Sequence, residues 1–173
     1  PTKPYIAVDR GFGHDDFPAL SMSFENAQLL AEWVSKKTGR TFRVPTVEEF
    51  ESICMQAKVD TNAIDDFAWS KANAEEVTHA IGTKKADALG VHDLFGNVAE
   101  WCSRTNAEGE VEGVVMGGSF ESPSGELGCS NLLERTPMWN DSDPQFPKSK
   151  WWLADAAFVG VRLVCVEEAK HDH

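Results

Sequence analysis

The stretch Leu89-Gly90-Val91-His92-Asp93-Leu94-Phe95-Gly96-Asn97-Val98-Ala99-Glu100-Trp101-Cys102 constrains the fold more than any other part of the chain. Gly96-Asn97 is a turn signal, because both residue types tolerate positive φ. A turn there lets the backbone aim the carboxylates of Asp93 and Glu100 at one point. Turn carbonyls and two carboxylates together make an all-oxygen cage suited to a hard cation such as calcium. The spacing does not match an EF-hand loop. From spacing alone, a cation cage and a buried polar turn both stay open.

The chain has 173 residues, enough for one domain with one core. Its hydrophobic content is 42%, ordinary for a globular protein, and its net charge is −12. That charge argues against binding a nucleic-acid backbone. No apolar run approaches the ~18 residues that a membrane span needs. The sequence begins Pro1-Thr2-Lys3 without Met and is read as a processed or excised piece. Cys54, Cys102, Cys129 and Cys165 form no CxxC pair, so neither a zinc site nor a thioredoxin-type pair is indicated. An even number allows disulfides, and buried free thiols are the alternative.

Residues 1–20 are irregular apart from Tyr5-Ile6-Ala7-Val8, a possible short strand. Residues 24–37 have helical periodicity, with Phe24, Ala27, Leu30, Ala31 and Val34 on one face, Ser23 as N-cap and Gly39 as terminator. Thr46 and Glu49 form a capping box that opens a second helix, with Phe50, Ile53, Cys54 and Ala57 as its buried face. Residues 58–88 read as a long loop with Trp69 plugged beneath it, and residues 103–115 as a hairpin or loop ending in strand Val114-Val115-Met116. Phe158 to Val166 reads as a closing strand. Within it, Arg162 is expected to pair with a buried carboxylate or with carbonyls. The polar tail from Glu167, including His171 and His173, reads as solvated.

Six ordered blocks resemble the formylglycine-generating enzyme, or sulfatase-modifying-factor, family. They are Met22-Ser23-Phe24-Glu25-Asn26-Ala27, Thr38 to Glu51 (Gly-Arg-x-Phe-Arg-Val-Pro-Thr at its centre), Phe67-Ala68-Trp69-Ser70, the run Gly90 to Trp101, Met116-Gly117-Gly118-Ser119-Phe120, and Val159-Gly160-Val161-Arg162-Leu163-Val164. The resemblance implies an α+β, C-type-lectin-like fold: two helices plus short antiparallel strands, rich in loops. It makes residues 1–173 a single domain that lacks the family's usual N-terminal portion. By the same resemblance, calcium would be held by Asp93, the carbonyls of Gly96 and Val98, and Glu100. A second cation site is less supported, with Asn73 as its one candidate. Cys54 and Cys129 occupy positions that bridge in the family.

The family's oxidases hold copper with two thiolates just after Gly-Gly-Ser, because soft thiolates suit Cu(I). The matching positions here are Ser122 and Leu127, so copper is not expected. Relatives that use non-haem iron hold it with several His. His14, His79, His92, His171 and His173 are scattered in this sequence. The expected role is a non-catalytic, calcium-stabilised binding or assembly module, periplasmic or extracellular in a bacterium, working with another protein chain or domain. The alternatives are a metal-dependent oxidase with a rebuilt site, or a glycan binder using Trp139, Trp151 and Trp152 of the aromatic loop Arg135–Ala157.

Overall fold

The computed structural model describes residue 7 and residues 9–166. The strand expected over Tyr5–Val8 falls almost wholly outside these residues, as does the tail with His171 and His173. No helix among the described residues is long and apolar enough to cross a membrane.

Helix α1 (Phe24–Thr38) starts where the Ser23 side chain accepts the Asn26 amide at 3.2 Å, satisfying one donor of the open first turn. It stops at Gly39, whose left-handed φ of 70° turns its N–H back to the Ser35 carbonyl. Phe24, Ala27 and Ala31 are buried, as the periodicity requires. After strand β1 (Thr41–Arg43), helix α2 (Val47–Ala57) opens on the reciprocal pair Thr46 and Glu49. The Thr46 hydroxyl accepts the Glu49 amide, and Glu49 Oε2 accepts the Thr46 amide at 2.9 Å. Arg43 grips both oxygens of the same carboxylate, at 2.6 Å each, and holds the Glu49 pKa down at about 2. Residues 58–88, which the sequence pattern reads as loop, contain a short helix α3 (Ile64–Phe67). At one turn it is too short to leave a periodic signal.

The main sheet is built on the hairpin of β2 (Ala99–Thr105) and β3 (Val111–Met116), in register from Glu100 opposite Met116 to Thr105 opposite Val111. Strand β4 (Leu132–Glu134) pairs outside β3. Strand β5 (Val159–Gly160) lies parallel to the start of β2, giving the order β4-β3-β2-β5. Strand β6 (Val164–Val166) pairs with β1 in a separate antiparallel ribbon. The α+β class therefore holds, with one parallel pair added.

Successive side chains of a strand face opposite ways, and here both faces are covered. Ala99, Trp101 and Val115 pack with Phe24, Ala27 and Leu153 on the α1 side. Cys102, Val114 and Met116 pack with Phe50, Cys54 and Leu127 on the α2 side. Phe158–Val166 is not one strand. It breaks over residues 161–163, because β5 and β6 belong to different sheets and the chain crosses between them.

Cys54 and Cys129 are bridged, with Cα atoms 5.6 Å apart, and the disulfide ties α2 to a loop 75 residues away. Cys102 and Cys165 are free. The closed loop is long, so most of the stabilisation comes from the entropy it removes from the unfolded chain. Replacing both Cys54 and Cys129 by Ala should cost about 2–4 kcal/mol in urea unfolding, with the near-ultraviolet spectrum of the native state retained.

Candidate metal centre in the signature loop

The loop before β2 is pinned on three sides. Gly96 lies against the backbone of Trp69, and a Cβ there would sit 2.2 Å from the Trp69 carbonyl oxygen. Its φ of +71° also favours glycine. The Asn97 amide then donates to that carbonyl at 2.8 Å. The Asn97 side chain, 1% exposed, mimics a strand partner for His79: its oxygen accepts the His79 amide at 3.0 Å and its nitrogen donates to the His79 carbonyl at 2.9 Å. The Asn97 carbonyl accepts from Phe120 at 2.9 Å. Trp69 stacks on the His79 ring at 3.6 Å and donates its indole N–H to Thr83, so it does sit under the loop.

This frame brings Asp93 and Glu100 into the interior, 8% and 5% exposed. Asp93 has a left-handed backbone, φ +53°. Its Oδ2 accepts the Gly82 amide at 2.7 Å, and its Oδ1 is buried without a hydrogen-bond partner. Glu100 Oε2 accepts from Arg162 Nε at 2.8 Å. Arg162 Nη2 donates to the carbonyls of His92 at 2.9 Å and Asp93 at 3.3 Å. Arg162 thus pairs with both a carboxylate and carbonyls. Burial pushes the Glu100 carboxyl above its usual range despite the guanidinium beside it, and the Glu100 charge raises Arg162 in turn. A cleft of about 570 Å³ opens beside these groups, between Phe17, Ile81, Val98 and Arg162.

Residues 9–165 match the sulfatase-modifying factor enzyme 1-like domain model. The chain belongs to that family. No curated protein sequence matches it. Its fold is shared with a structure of PvdO from Pseudomonas aeruginosa, TM-score 0.69 at 18% identity, covering 90% of this chain and 64% of that one. Treponema denticola variable protein 1 gives TM-score 0.69 at 18% identity, covering 94% and 75%. CarF gives 0.65 at 16% identity, covering 88% and 69%. The chain therefore spans roughly two thirds to three quarters of the length of these structures.

At the positions where the family's oxidases carry thiolates, this sulfatase-modifying-factor domain has groups with other duties. The Ser122 hydroxyl accepts the Ser119 amide at 3.0 Å, and Leu127 is a core residue, 6% exposed. Cys129, nearby in sequence, is committed to Cys54. Burial drives the Cys102 thiol far above its usual range, so it holds its proton.

Among the described residues, no three or more His, Cys, Asp or Glu side chains are grouped to hold a metal. A cation here would depend on carboxylates supplemented by carbonyls. Asp93 Oδ1 fits that need, since a buried carboxylate oxygen without a partner is the kind of group an ion satisfies. Glu100 fits less well, being already engaged by Arg162. The Asn73 amide is used inside its own loop, accepting from Ser70 at 2.8 Å and donating to Ala68 at 3.1 Å.

In the aromatic loop the Trp rings are drawn inward while Phe146 is fully exposed. Trp152 is 7% exposed, and Trp139 is half-buried against Trp101 and Phe158. Trp151 is half-buried with Lys150 over its ring. Sequence reasoning missed Asp87, whose Oδ1 accepts the amides of Leu89 and Val91 and shapes the entry to the loop. An Asp capping its own turn gave a local signal, but a weak one.

Arg162→Ala strands a buried carboxylate and should cost about 3–5 kcal/mol near neutral pH. Without the guanidinium, the Glu100 pKa rises further. The folded protein then binds a proton that the unfolded chain has released, so stability falls as pH climbs past the ordinary Glu range of about 4.3. The gap between wild type and variant should be smaller at about pH 5 than at about pH 8 in urea unfolding.

Proposed function

We propose that this domain is a non-catalytic binding or assembly module whose signature loop carries one structural calcium ion. It works beside another protein chain or domain, in the periplasm or outside the cell. The observation that carries the non-catalytic reading is the fate of the copper positions, a backbone-capping Ser122 and a core Leu127. Neither offers the soft sulfur that Cu(I) requires.

Calcium is supported by Asp93 Oδ1, a buried carboxylate oxygen without a hydrogen-bond partner. Asp93 and the carbonyls of Gly96 and Val98 would hold the ion, with Glu100 close by. Bound there, it would supply structural charge balance and tie down a loop with little regular pairing. The Cys54–Cys129 disulfide is compatible with an oxidising compartment. The cleft beside the loop, with apolar walls and charged groups at its base, is the natural place for a ligand or partner segment.

Elemental analysis of the native protein should find about one calcium per chain and no stoichiometric copper or iron, and EGTA should lower the melting temperature. Stoichiometric copper or iron would overturn the reading in favour of an oxidase with a rebuilt site.

A further inference from the structure

The aromatic loop lifts one ring clear of the protein. Phe146 is fully exposed, yet the backbone beneath it is braced. Buried Asp143 accepts the Ser149 amide at 2.6 Å through Oδ2 and the Gln145 amide at 3.0 Å through Oδ1. Buried Asn140 donates to the Ser149 carbonyl at 2.9 Å and accepts the Ala154 amide at 2.8 Å. Lys148 Nζ reaches the Asp141 carbonyl at 2.6 Å. Both arms of the turn are therefore tied, one on each side of Phe146. A ring held out in this way stays hydrated in the free chain, and its backbone gives up little freedom on docking.

A pocket of about 350 Å³ opens nearby, walled by Phe17, Pro18, Leu20, Met22 and Trp152. The Trp151 carbonyl accepts the Ser23 amide at 3.1 Å, and Trp152 bridges Met22, so the end of the Phe146 loop borders this pocket. The two features differ in charge. Residues 144–151 carry Lys148 and Lys150 and no acid. Lys150 lies over the Trp151 ring, 5.0 Å from its centroid. The segment 9–18, which forms one wall of the pocket, carries Asp9, Asp15 and Asp16. Its arginine, Arg10, is turned onto Ser21 Oγ and the carbonyls of Leu153 and Ala154, and His14 meets Asp15 at 3.2 Å.

We infer that the chain pairs with a second copy of itself about a two-fold axis. The Phe146 ring of each copy enters the apolar pocket of the other, and Lys150 meets the acidic segment 9–16. Ring and pocket sit side by side, so a single two-fold operation satisfies both contacts at once. Opposite charges on the two features fix which surface each ring meets. This pairing goes beyond the binding role proposed above and does not depend on calcium.

Sedimentation velocity over micromolar concentrations, paired with hydrogen exchange, tests it. The wild type should pass from monomer to dimer as concentration rises, and dimerisation should slow exchange over residues 9–22. Phe146→Ala should weaken the dimer about thirty-fold or more. The melting temperature of the monomer should not change, because a fully exposed ring adds little to the folded chain. Lys150→Glu should weaken the dimer about three- to ten-fold at low salt, a loss that fades as salt screens the charges. A wild type that stays monomeric, a dimer that survives Phe146→Ala, or protection that falls outside residues 9–22 overturns the inference. So does a monomer that sediments with phosphatidylglycerol vesicles and loses this with Phe146→Ala, which assigns the ring to lipid. None of these outcomes bears on the calcium content, so their failure and that of the calcium reading are separable.

Discussion

The contact between Arg162 and Glu100 joins the parts of this fold that are otherwise hard to join. Glu100 belongs to the central strand β2, and Arg162 lies in the gap where the chain leaves one sheet for the other. A strand pair of two residues, β5 on β2, cannot hold that crossing by itself. The guanidinium adds a fork to the carboxylate and to the carbonyls of His92 and Asp93, so the last segment, the signature loop and the central strand share one hydrogen-bonded node. Desolvation makes this a poor source of net stability, since the Coulombic gain is set against two buried charges. Its value is positional, because register slips and misplaced crossings would leave a carboxylate alone in the interior.

A second constraint is steric. Gly96 must pass the Trp69 backbone closely, and Gly117 must pass the Leu94 carbonyl, where a Cβ would come within 2.8 Å. These two contacts draw the loop under β2 against the end of β3, and Asn97 fills the remaining space by bonding His79 as if it were a strand. The polar turn and the cation cage, which spacing alone could not separate, share this geometry. A buried turn with its amides satisfied is present in either case, and Asp93 Oδ1 is the carboxylate oxygen that the turn leaves without a partner.

What the sequence made legible was local. The caps at Ser23 and Thr46 were readable because each signal is confined to one helical turn. The pairing of Arg162 was readable because a guanidinium in an apolar strand must find oxygen. Less legible was the central strand itself. With Ala99, Glu100, Trp101 and Cys102 all buried, the start of β2 has no exposed face to alternate with, so it is masked in the sequence pattern. The division of Phe158–Val166 between two sheets was also hidden, since pairing partners more than fifty residues away leave no periodic trace. Asp87 carries little signal because its visible role, capping Leu89 and Val91, accounts for one oxygen and says nothing of the other.

The two chemistries that the family resemblance suggests lie on separate supports. The thiolate positions follow β3, where Ser122 closes a turn onto Ser119 and Leu127 packs beside Phe50 and Cys54. The signature loop precedes β2 and is fixed by Trp69, His79 and Phe120. The leucine at the second thiolate position suits the fold, because its side chain fills the α2-side core. Removing a carboxylate from the loop is different, because the same residues carry the turn. Asp93 bonds Gly82, Asp87 bonds two amides and Glu100 holds Arg162. The two thiolate positions therefore carry structural duties that are independent of the signature loop. Each carboxylate of the loop is a structural acceptor, so the geometry of the turn depends on all three.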